Sequence, residues 1–258
     1  MLLLKRKTVV LLILSVALLF VVSARMNQAV AEKDHMLNAL DLPVAENSPE
    51  PLSPKQDATE EALDLPPVID LDSWQYKLVN SAYVLSSSFA PNVTEIGNQQ
   101  YFDSRAVEAL NAMMQGAADA GYGCFVRTAY RPYSTQAYLF YGKASQLSWD
   151  GSVSYEKAEI LARNYVAYPG CSEHQLGLAA DLMPDADTAM VAEDVADLPL
   201  LLWLKEHCKE YGFILRYPAE KKEITGWNEP WHFRYVGEEA ACYIMEHELC
   251  LEEFLELY

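Results

Sequence analysis

Hydrophobic positions recur along this chain with the period of a helix in some segments and alternate with polar positions in others. The helical period predicts helices at 104–122, 134–147, 154–167 and 197–213, and a final helix that begins near Glu238. Shorter segments at 123–131, 213–218 and 231–237 predict strands. Helices mixed with short strands that are separate in sequence indicate an α+β domain, which we expect to extend from residue 71 to residue 258.

The N-terminal region has the pattern of a targeting segment. Three basic residues, Lys5, Arg6 and Lys7, precede an apolar run of seventeen residues at 8–24. This run is longer than the apolar part of most signal peptides and just short of the roughly 20 residues of a typical membrane span. The basic residues favour a cytoplasmic N-terminus, with the remainder of the chain on the extracytoplasmic side of the cell membrane. Because Ala29-Val30-Ala31 is similar to a cleavage site, residues 1–31 are predicted to form a single-pass anchor or a removed signal peptide, which would leave the protein secreted.

Residues 32–70 differ in composition from everything that follows them. Proline, acidic and small residues dominate, and aromatic residues are absent. Between Glu32 and Asp72 there are eleven Asp or Glu residues and two Lys, which gives this segment a formal net charge of −9. That is half of the formal net charge of the whole chain, −18. A segment of this kind cannot bury enough apolar surface to offset its ordering entropy, so we expect a disordered spacer. The negative charge also argues against a nucleic-acid partner, because a phosphate backbone requires clustered Lys and Arg.

The five cysteines leave two possibilities open. In an exported protein, Cys124, Cys171, Cys208, Cys242 and Cys250 could form up to two disulfides and leave one thiol. They could equally be buried apolar thiols. A cysteine-rich zinc site is not indicated, because the chain contains no CxxC pair.

Two stretches carry the residue types of a catalytic metal site. The first, CSEHQLGLAAD at 171–181, contains His174 and Asp181, and the second, EPWHFRYVG at 229–237, contains Glu229 and His232. A catalytic zinc typically takes three protein ligands and leaves one position to water, which His174, Asp181 and His232 could supply. Glu229 would then lie near the open position, where it could take a proton from water as a general base.

The spacing within the first stretch imposes a geometric condition. His174 and Asp181 are seven positions apart, so an uninterrupted strand would direct them to opposite faces. A bend must therefore lie between them, and Gly177 is its natural position. The apolar alternation of Leu178, Ala180 and Leu182 leaves Asp181 on the other face of the strand.

At the level of motifs, the chain resembles the VanY-type D-alanyl-D-alanine carboxypeptidases. SEHQLGLAAD fits S-x-H-x-x-G-x-A-x-D, and EPWH fits E-x-W-H. Further similarity includes YRPYSTQ at 130–136, the PG at 169–170 and YGFILRYP at 211–218, so that it covers nearly all of 71–258. The resemblance implies a single zinc-peptidase domain with a small central antiparallel sheet flanked by helices. It also implies the site residues: His174, Asp181 and His232 as Zn²⁺ ligands, Glu229 as catalytic base, Arg131 as the group that stabilises the oxyanion, and Gln136 and Ser172 as substrate contacts.

The function implied by this resemblance is that of a zinc-dependent D,D-carboxypeptidase, which removes the C-terminal D-alanine from peptidoglycan stem peptides. Three alternatives stay open: an L,D-carboxypeptidase acting on tetrapeptide stems, a wall-cleaving endopeptidase, and a zinc-containing wall-binding module without activity. The presence of both Glu229 and Arg131 favours an enzyme, and the predicted anchor argues against a freely released endopeptidase. A monomer is expected.

One cysteine and the remaining arginine and histidine positions carry weaker signals. Cys171 beside Ser172 departs from the family pattern without disturbing a ligand position. Arg127 is interpreted as a surface or strand-end arginine, and His207 as a structural residue of an amphipathic helix. His35 and His247 are expected to be exposed to solvent, and the sequence suggests no specific partner for either.

Overall fold

The structure, a computed structural model, describes residues 65–258. Among these residues, no helix combines the length and the apolar character that a membrane crossing requires. The predicted anchor at 1–31 and nearly all of the predicted spacer at 32–70 lie outside the described residues and stay predictions.

The strands of the described region form two antiparallel sheets. They are β1 Val93–Gly97, β2 Gln100–Asp103, β3 Phe125–Thr128, β4 Ala179–Met183, β5 Phe213–Tyr217 and β6 Glu229–Tyr235. Strands β1 and β2 form a hairpin, and the other four form a sheet in the order β3-β4-β6-β5. The predicted small antiparallel sheet is confirmed.

Helices surround the four-stranded sheet and connect its strands. The α-helices are α1 Val107–Asp119, α2 Tyr133–Ser148, α3 Tyr155–Ala162, α4 Ala192–Val195, α5 Pro199–His207, α6 Lys222–Thr225, α7 Glu238–Glu246 and α8 Leu251–Leu255. Short 3₁₀ helices occur at Trp74–Tyr76, Glu173–Leu176, Cys208–Tyr211 and Ala219–Lys221.

The main core lies between one face of the sheet and helices α1 and α5. Leu110 and Met113 of α1 and Leu204 of α5 pack there against Ala180 and Phe233 of the sheet. A second cluster packs α7 and α8 against Ile214 of β5. Because one face of β4 and β6 is committed to the main core, the side chains between those core positions are presented on the opposite face.

Several predicted helices differ in extent from the structure; the one expected at 104–122, for example, spans Val107–Asp119. The helix expected at 154–167 ends at Ala162, because Val166 and Tyr168 pack from the following loop onto the same cluster as Phe140 and only imitate the helical period. The helix expected at 197–213 begins at Pro199, whose fixed φ suits the first helical turn, and gives way to a 3₁₀ helix after His207. The final helix begins at Glu238 as predicted but ends at Glu246, and α8 follows as a separate helix.

Two further features were not settled by the sequence. The β1–β2 hairpin was not predicted; its turn uses Asn98 and Gln99 in the left-handed region, at φ 50° and 58°. All five cysteines lie in the described region, and none of them is bonded to another. The structure therefore favours unpaired thiols over the two disulfides that the composition permits.

Candidate metal centre and active site

The register of the large sheet brings together the first two predicted ligands. Strands β4 and β6 pair Asp181 with His232, and the adjacent Ala180 with Phe233. Paired residues of antiparallel strands project to the same face, so the acidic and imidazole side chains meet. His232 Nδ1 lies 3.0 Å from Asp181 Oδ1. Because Ala180 and Phe233 are buried in the main core, the same register that fills the core also forms this contact.

The third predicted ligand comes from the turn that precedes β4. His174 lies in the 3₁₀ helix Glu173–Leu176, which ends at Gly177 with φ 73°. The predicted bend at Gly177 is thus confirmed. It directs His174 Nε2 to 3.3 Å from Asp181 Oδ2, while His174 Nδ1 lies 2.8 Å from the carbonyl oxygen of Ala129.

The three side chains form a cluster suited to a metal ion. His174, Asp181 and His232 each offer one ligand atom, and these atoms all lie within 4.8 Å of one another. All three residues are buried, with at most 6% of their surface exposed. Two imidazoles and a carboxylate are a donor set that Zn²⁺ accepts readily.

The electrostatics of the cluster also fit a cation. Burial opposes a charge on Asp181, but the neighbouring His174 and His232 outweigh it and hold the pKa of Asp181 below its usual range. Burial likewise opposes the charged form of His232, yet the hydrogen bond with Asp181 and the contact with Glu173 raise the pKa of His232 to about 9. The buried carboxylate therefore favours a positive charge beside it, which a metal ion could supply.

The predicted base lies at the edge of this cluster. Glu229 is the first residue of β6, and its Oε2 is 3.6 Å from His232 Nδ1. Its side chain is 26% exposed, so one oxygen can face the cleft. Burial raises the pKa of Glu229 to about 7; the charge of Asp181 adds to this shift, while the neighbouring His232 and Arg131 oppose it. A carboxylate whose proton affinity is near neutral suits proton transfer at physiological pH.

Arg131 lines the same cleft as the cluster and is held in place by Gln136. The Arg131 backbone N–H donates to the carbonyl oxygen of His174 at 3.0 Å, and its Nη1 donates to Gln136 Oε1 at 2.7 Å. Gln136 Nε2 donates in turn to the carbonyl oxygen of Ala167 at 2.6 Å. Burial lowers the pKa of Arg131, while the nearby Asp181 and Glu229 oppose this shift. The contacts of Gln136 are to the protein, so it supports Arg131, and its predicted role as a substrate contact stays a prediction.

All seven predicted site residues line one cleft of about 490 Å³. Arg131, Gln136, Ser172, His174, Asp181, Glu229 and His232 are joined there by the rings of Tyr165, Tyr217, Trp227 and Trp231. Ser172 is buried, and the neighbouring Cys171 is half-buried at the cleft wall. The cleft therefore places a metal-binding cluster, a carboxylate and a guanidinium around one space large enough for the end of a peptide.

The other singled-out residues lie outside this cleft. Arg127 Nη1 donates to the carbonyl oxygen of Thr188 at 2.9 Å. His207 pairs with Glu210 at 2.8 Å and stacks on Trp203, in agreement with its structural interpretation. The expectation for His247 was wrong: it is half-buried, stacks on Tyr243 with ring centroids 3.9 Å apart, and its Nδ1 lies 2.8 Å from the Tyr243 carbonyl oxygen. His35 lies outside the described residues.

One residue beside the ligands, Glu173, is not singled out by the motifs. It directly precedes His174 and is almost completely buried. A weak signal existed, because Arg216 and Arg234 occur within predicted strands and buried arginines require a carboxylate partner.

Comparison with known proteins agrees with the geometry. The family model for VanY, D-alanyl-D-alanine carboxypeptidase, matches residues 99–238. A D-alanyl-D-alanine carboxypeptidase of Enterococcus faecalis (strain ATCC 700802 / V583) is 37% identical over 187 residues, which cover 72% of this chain and 67% of that protein. The chain spans about two thirds of the length of its curated relatives.

Two solved structures of peptidases are similar to this chain in both fold and sequence. A VanY D,D-pentapeptidase from a VanB-type vancomycin resistance cassette, in complex with Zn(II), is 35% identical, with a TM-score of 0.61 over 71% of this chain and 99% of that one. The LdcB LD-carboxypeptidase is also 35% identical, with a TM-score of 0.59 over 69% of this chain and 84% of that one. The predicted family resemblance and the prediction of zinc as cofactor are confirmed.

Proposed function

The chain belongs to the VanY D-alanyl-D-alanine carboxypeptidase family, a family of zinc carboxypeptidases, and we propose that it is a D,D-carboxypeptidase that removes the C-terminal D-alanine from peptidoglycan stem peptides ending in D-Ala-D-Ala. One observation carries the proposal. Glu229 and Arg131 share a single cleft with the cluster of His174, Asp181 and His232. A module that only bound metal would not require a base and a permanent cation at these two positions.

Each residue has a role that follows from its place in the cleft. His174, Asp181 and His232 would hold Zn²⁺, which lowers the pKa of a bound water to about 7 and polarises a carbonyl group. Glu229, at the mouth of the cluster, takes a proton from the attacking water and delivers it to the amine of the departing D-alanine. Arg131 neutralises the negative charge that develops on the carbonyl oxygen of the scissile bond.

The pairing of Arg131 with Gln136 gives this electrostatic stabilisation its precision. A guanidinium on a flexible side chain loses rotamer freedom whenever it engages a substrate. Here the 2.7 Å hydrogen bond to Gln136, and the 2.6 Å bond from Gln136 to Ala167, hold the guanidinium before substrate arrives. Preorganised charge of this kind costs no reorganisation during the reaction.

The test compares two peptides with purified, zinc-loaded full-length protein and with its Glu229→Gln variant. We expect the pentapeptide stem that ends in D-Ala-D-Ala to lose one alanine by mass spectrometry, and the variant to lose this activity while retaining zinc. Trimming of neither the pentapeptide nor the tetrapeptide by zinc-loaded protein would overturn the proposal. Cleavage of cross-linked wall fragments would then favour an endopeptidase, and binding to wall without cleavage would favour a binding module.

A second candidate is an L,D-carboxypeptidase that acts on tetrapeptide stems. The observation in its favour is the similarity to the LdcB LD-carboxypeptidase, which has the same identity and nearly the same TM-score as the VanY D,D-pentapeptidase. The zinc chemistry is identical for both bonds, so the walls of the cleft decide between them. Loss of alanine from the tetrapeptide, with the pentapeptide left intact, would establish this alternative.

We also propose that the reaction takes place on the extracytoplasmic side of the cell membrane and that the protein acts as a monomer. The basic and apolar pattern of residues 1–31 supports the location, and all seven predicted site residues lie in one chain around one cleft. Protease added to intact protoplasts should digest the catalytic domain, and light scattering of the detergent-solubilised protein should give the mass of one chain. Protection of the domain until the cells are lysed would contradict the location.

A further inference from the structure

Glu173 is a buried carboxylate that touches the far side of a predicted metal ligand. Its Oε2 lies 3.5 Å from His232 Nε2, the imidazole nitrogen that faces away from Asp181. Glu173 is 1% exposed and His232 is 2% exposed, so water cannot replace this contact. His232 is therefore placed between two carboxylates, with Asp181 at one ring nitrogen and Glu173 at the other.

Glu173 is held by two arginines through its other oxygen only. Arg216 Nε and Arg234 Nη1 both donate to Glu173 Oε1, each at 2.8 Å. Both arginines are fully buried, so their positive charges lie directly against this carboxylate without solvent between them. The carboxylate is thus kept anionic and fixed in orientation, with Oε2 directed at His232.

The unused hydrogen-bonding atoms show what this arrangement lacks. Only three buried side-chain polar atoms in residues 65–258 have no hydrogen-bond partner, and Glu173 Oε2 and His232 Nε2 are two of them. These two atoms face each other at 3.5 Å, slightly too far for a hydrogen bond. A small rotation of the imidazole would satisfy both atoms at once.

We propose that Glu173 is a positioning residue for the metal centre: it accepts the Nε2–H of His232 and thereby presents the Nδ1 lone pair to the metal. This inference rests on the proposed metal site but not on the identity of the substrate. An imidazole that donates one N–H to a carboxylate is fixed in one tautomer and becomes a more basic ligand through its other nitrogen. His174 lacks this assistance, because its Nδ1 faces the neutral carbonyl oxygen of Ala129.

The competing explanation is that Glu173 exists only to neutralise the buried arginines. A purely structural carboxylate would affect the stability of the fold but not the affinity for metal in protein that remains folded. Glu252 offers a matched control, because it is a second carboxylate of the same network. It accepts from Arg216 Nη1 and Nη2 at 2.8 and 2.7 Å, and no contact joins it to His232.

The experiment measures zinc affinity by competition with a chromophoric chelator for the full-length wild-type protein and three variants. We expect Glu173→Gln to weaken zinc binding by about 10-fold or more, since loss of such outer partners typically costs about 10–100-fold. Glutamine can still accept a hydrogen bond, but it carries no charge to raise the basicity of His232. Glu252→Gln should bind zinc within about twofold of wild type, although it should unfold at lower denaturant concentration.

The third variant guards against misfolding of the first. Glu173→Asp keeps the charge beside the arginines but withdraws the carboxylate from His232 by one methylene group, so it should fold and still bind zinc more weakly. Zinc affinity within about twofold of wild type in folded Glu173→Asp or Glu173→Gln would overturn the proposal. So would an equal loss of affinity in Glu252→Gln. Because the readout is metal binding, failure of the peptide assay would leave this result interpretable.

Discussion

Gly177 joins two ligand-bearing elements, and its replacement tests whether the bend between them is built into the backbone. The residue has φ 73°, and its carbonyl oxygen accepts a hydrogen bond from the backbone N–H of Asp103 at 2.8 Å. A Cβ at this position would lie 3.3 Å from that same nitrogen and 3.3 Å from Pro91 Cγ. Gly177→Ala therefore combines an unfavourable φ with crowding against backbone that is already fixed by a hydrogen bond.

The magnitude follows from these contributions. An alanine in the left-handed region costs about 1–2 kcal/mol, and crowding in a packed site costs roughly 1–3 kcal/mol. The reduced entropy of the unfolded chain offsets about 0.4–1 kcal/mol of this. Together they lower the free energy of unfolding by about 3 kcal/mol, within a range of about 1–4.5 kcal/mol. We also expect zinc binding to weaken because His174 and Asp181 no longer converge.

Two other glycines separate the causes. Gly226 has a similar φ of 82° but open space around its Cβ position, so Gly226→Ala should show the backbone cost alone, about 1 kcal/mol. Gly142 lies within α2, also with open space, and Gly142→Ala should stabilise the protein by about 0.5–1 kcal/mol. Urea denaturation of the metal-free proteins measures all three. A Gly177→Ala variant as stable as Gly226→Ala would refute the crowding argument, and one as stable as wild type would refute both parts.

Three further predictions concern the reaction. Glu229→Gln should lower kcat by about 10²–10⁴-fold, the usual contribution of a general base, with zinc content unchanged by metal analysis; activity near that of wild type would exclude Glu229 as the base. Gln136→Ala should lower kcat/KM about 10-fold, because Arg131 loses its hydrogen-bond partner at 2.7 Å. The control Gln146→Ala, in the same cleft, should have little effect on kcat/KM. Equal effects of the two substitutions would show that Arg131 needs no support. A chelator should abolish peptide trimming, and one equivalent of added Zn²⁺ should restore it in an activity assay. Activity that survives complete removal of the metal would contradict the metal mechanism.

Much of the site could be predicted because its residues lie in short motifs whose periodicity is visible. Asp181 lies between the apolar positions Ala180 and Leu182, so its place on the face of the strand opposite the main core follows from the sequence. Gly177 is the one residue between His174 and Asp181 that turns the chain without steric cost. The two motifs could be assigned to one centre because of the family resemblance, since the pairing of β4 with β6 is not encoded in either stretch alone.

The parts that could not be predicted depend on contacts between residues that are distant in sequence. The contacts of Glu173 cannot be predicted from its motif, because Arg216 and Arg234 lie 43 and 61 positions away in sequence and reach its carboxylate only in the fold. The early end of α3 has the same origin, because Val166 packs from a loop onto a position that a further helical turn would also reach. The β1–β2 hairpin depends on two non-glycine residues at positive φ, for which composition gives little warning.

The metal cluster and the core are consequences of a single strand register. Asp181 pairs with His232 because Ala180 pairs with Phe233, and the second pair is fixed by burial in the main core. A slip of β6 by one residue would turn His232 toward the core and expose Phe233, whose burial stabilises the fold by about 1.5–3 kcal/mol. The cost of desolvating an imidazole would be added to that loss. Apolar residues that never touch a substrate therefore select the one strand register in which Asp181 and His232 meet. The affinity of the site for metal thus depends on the packing of the main core on the other face of the sheet.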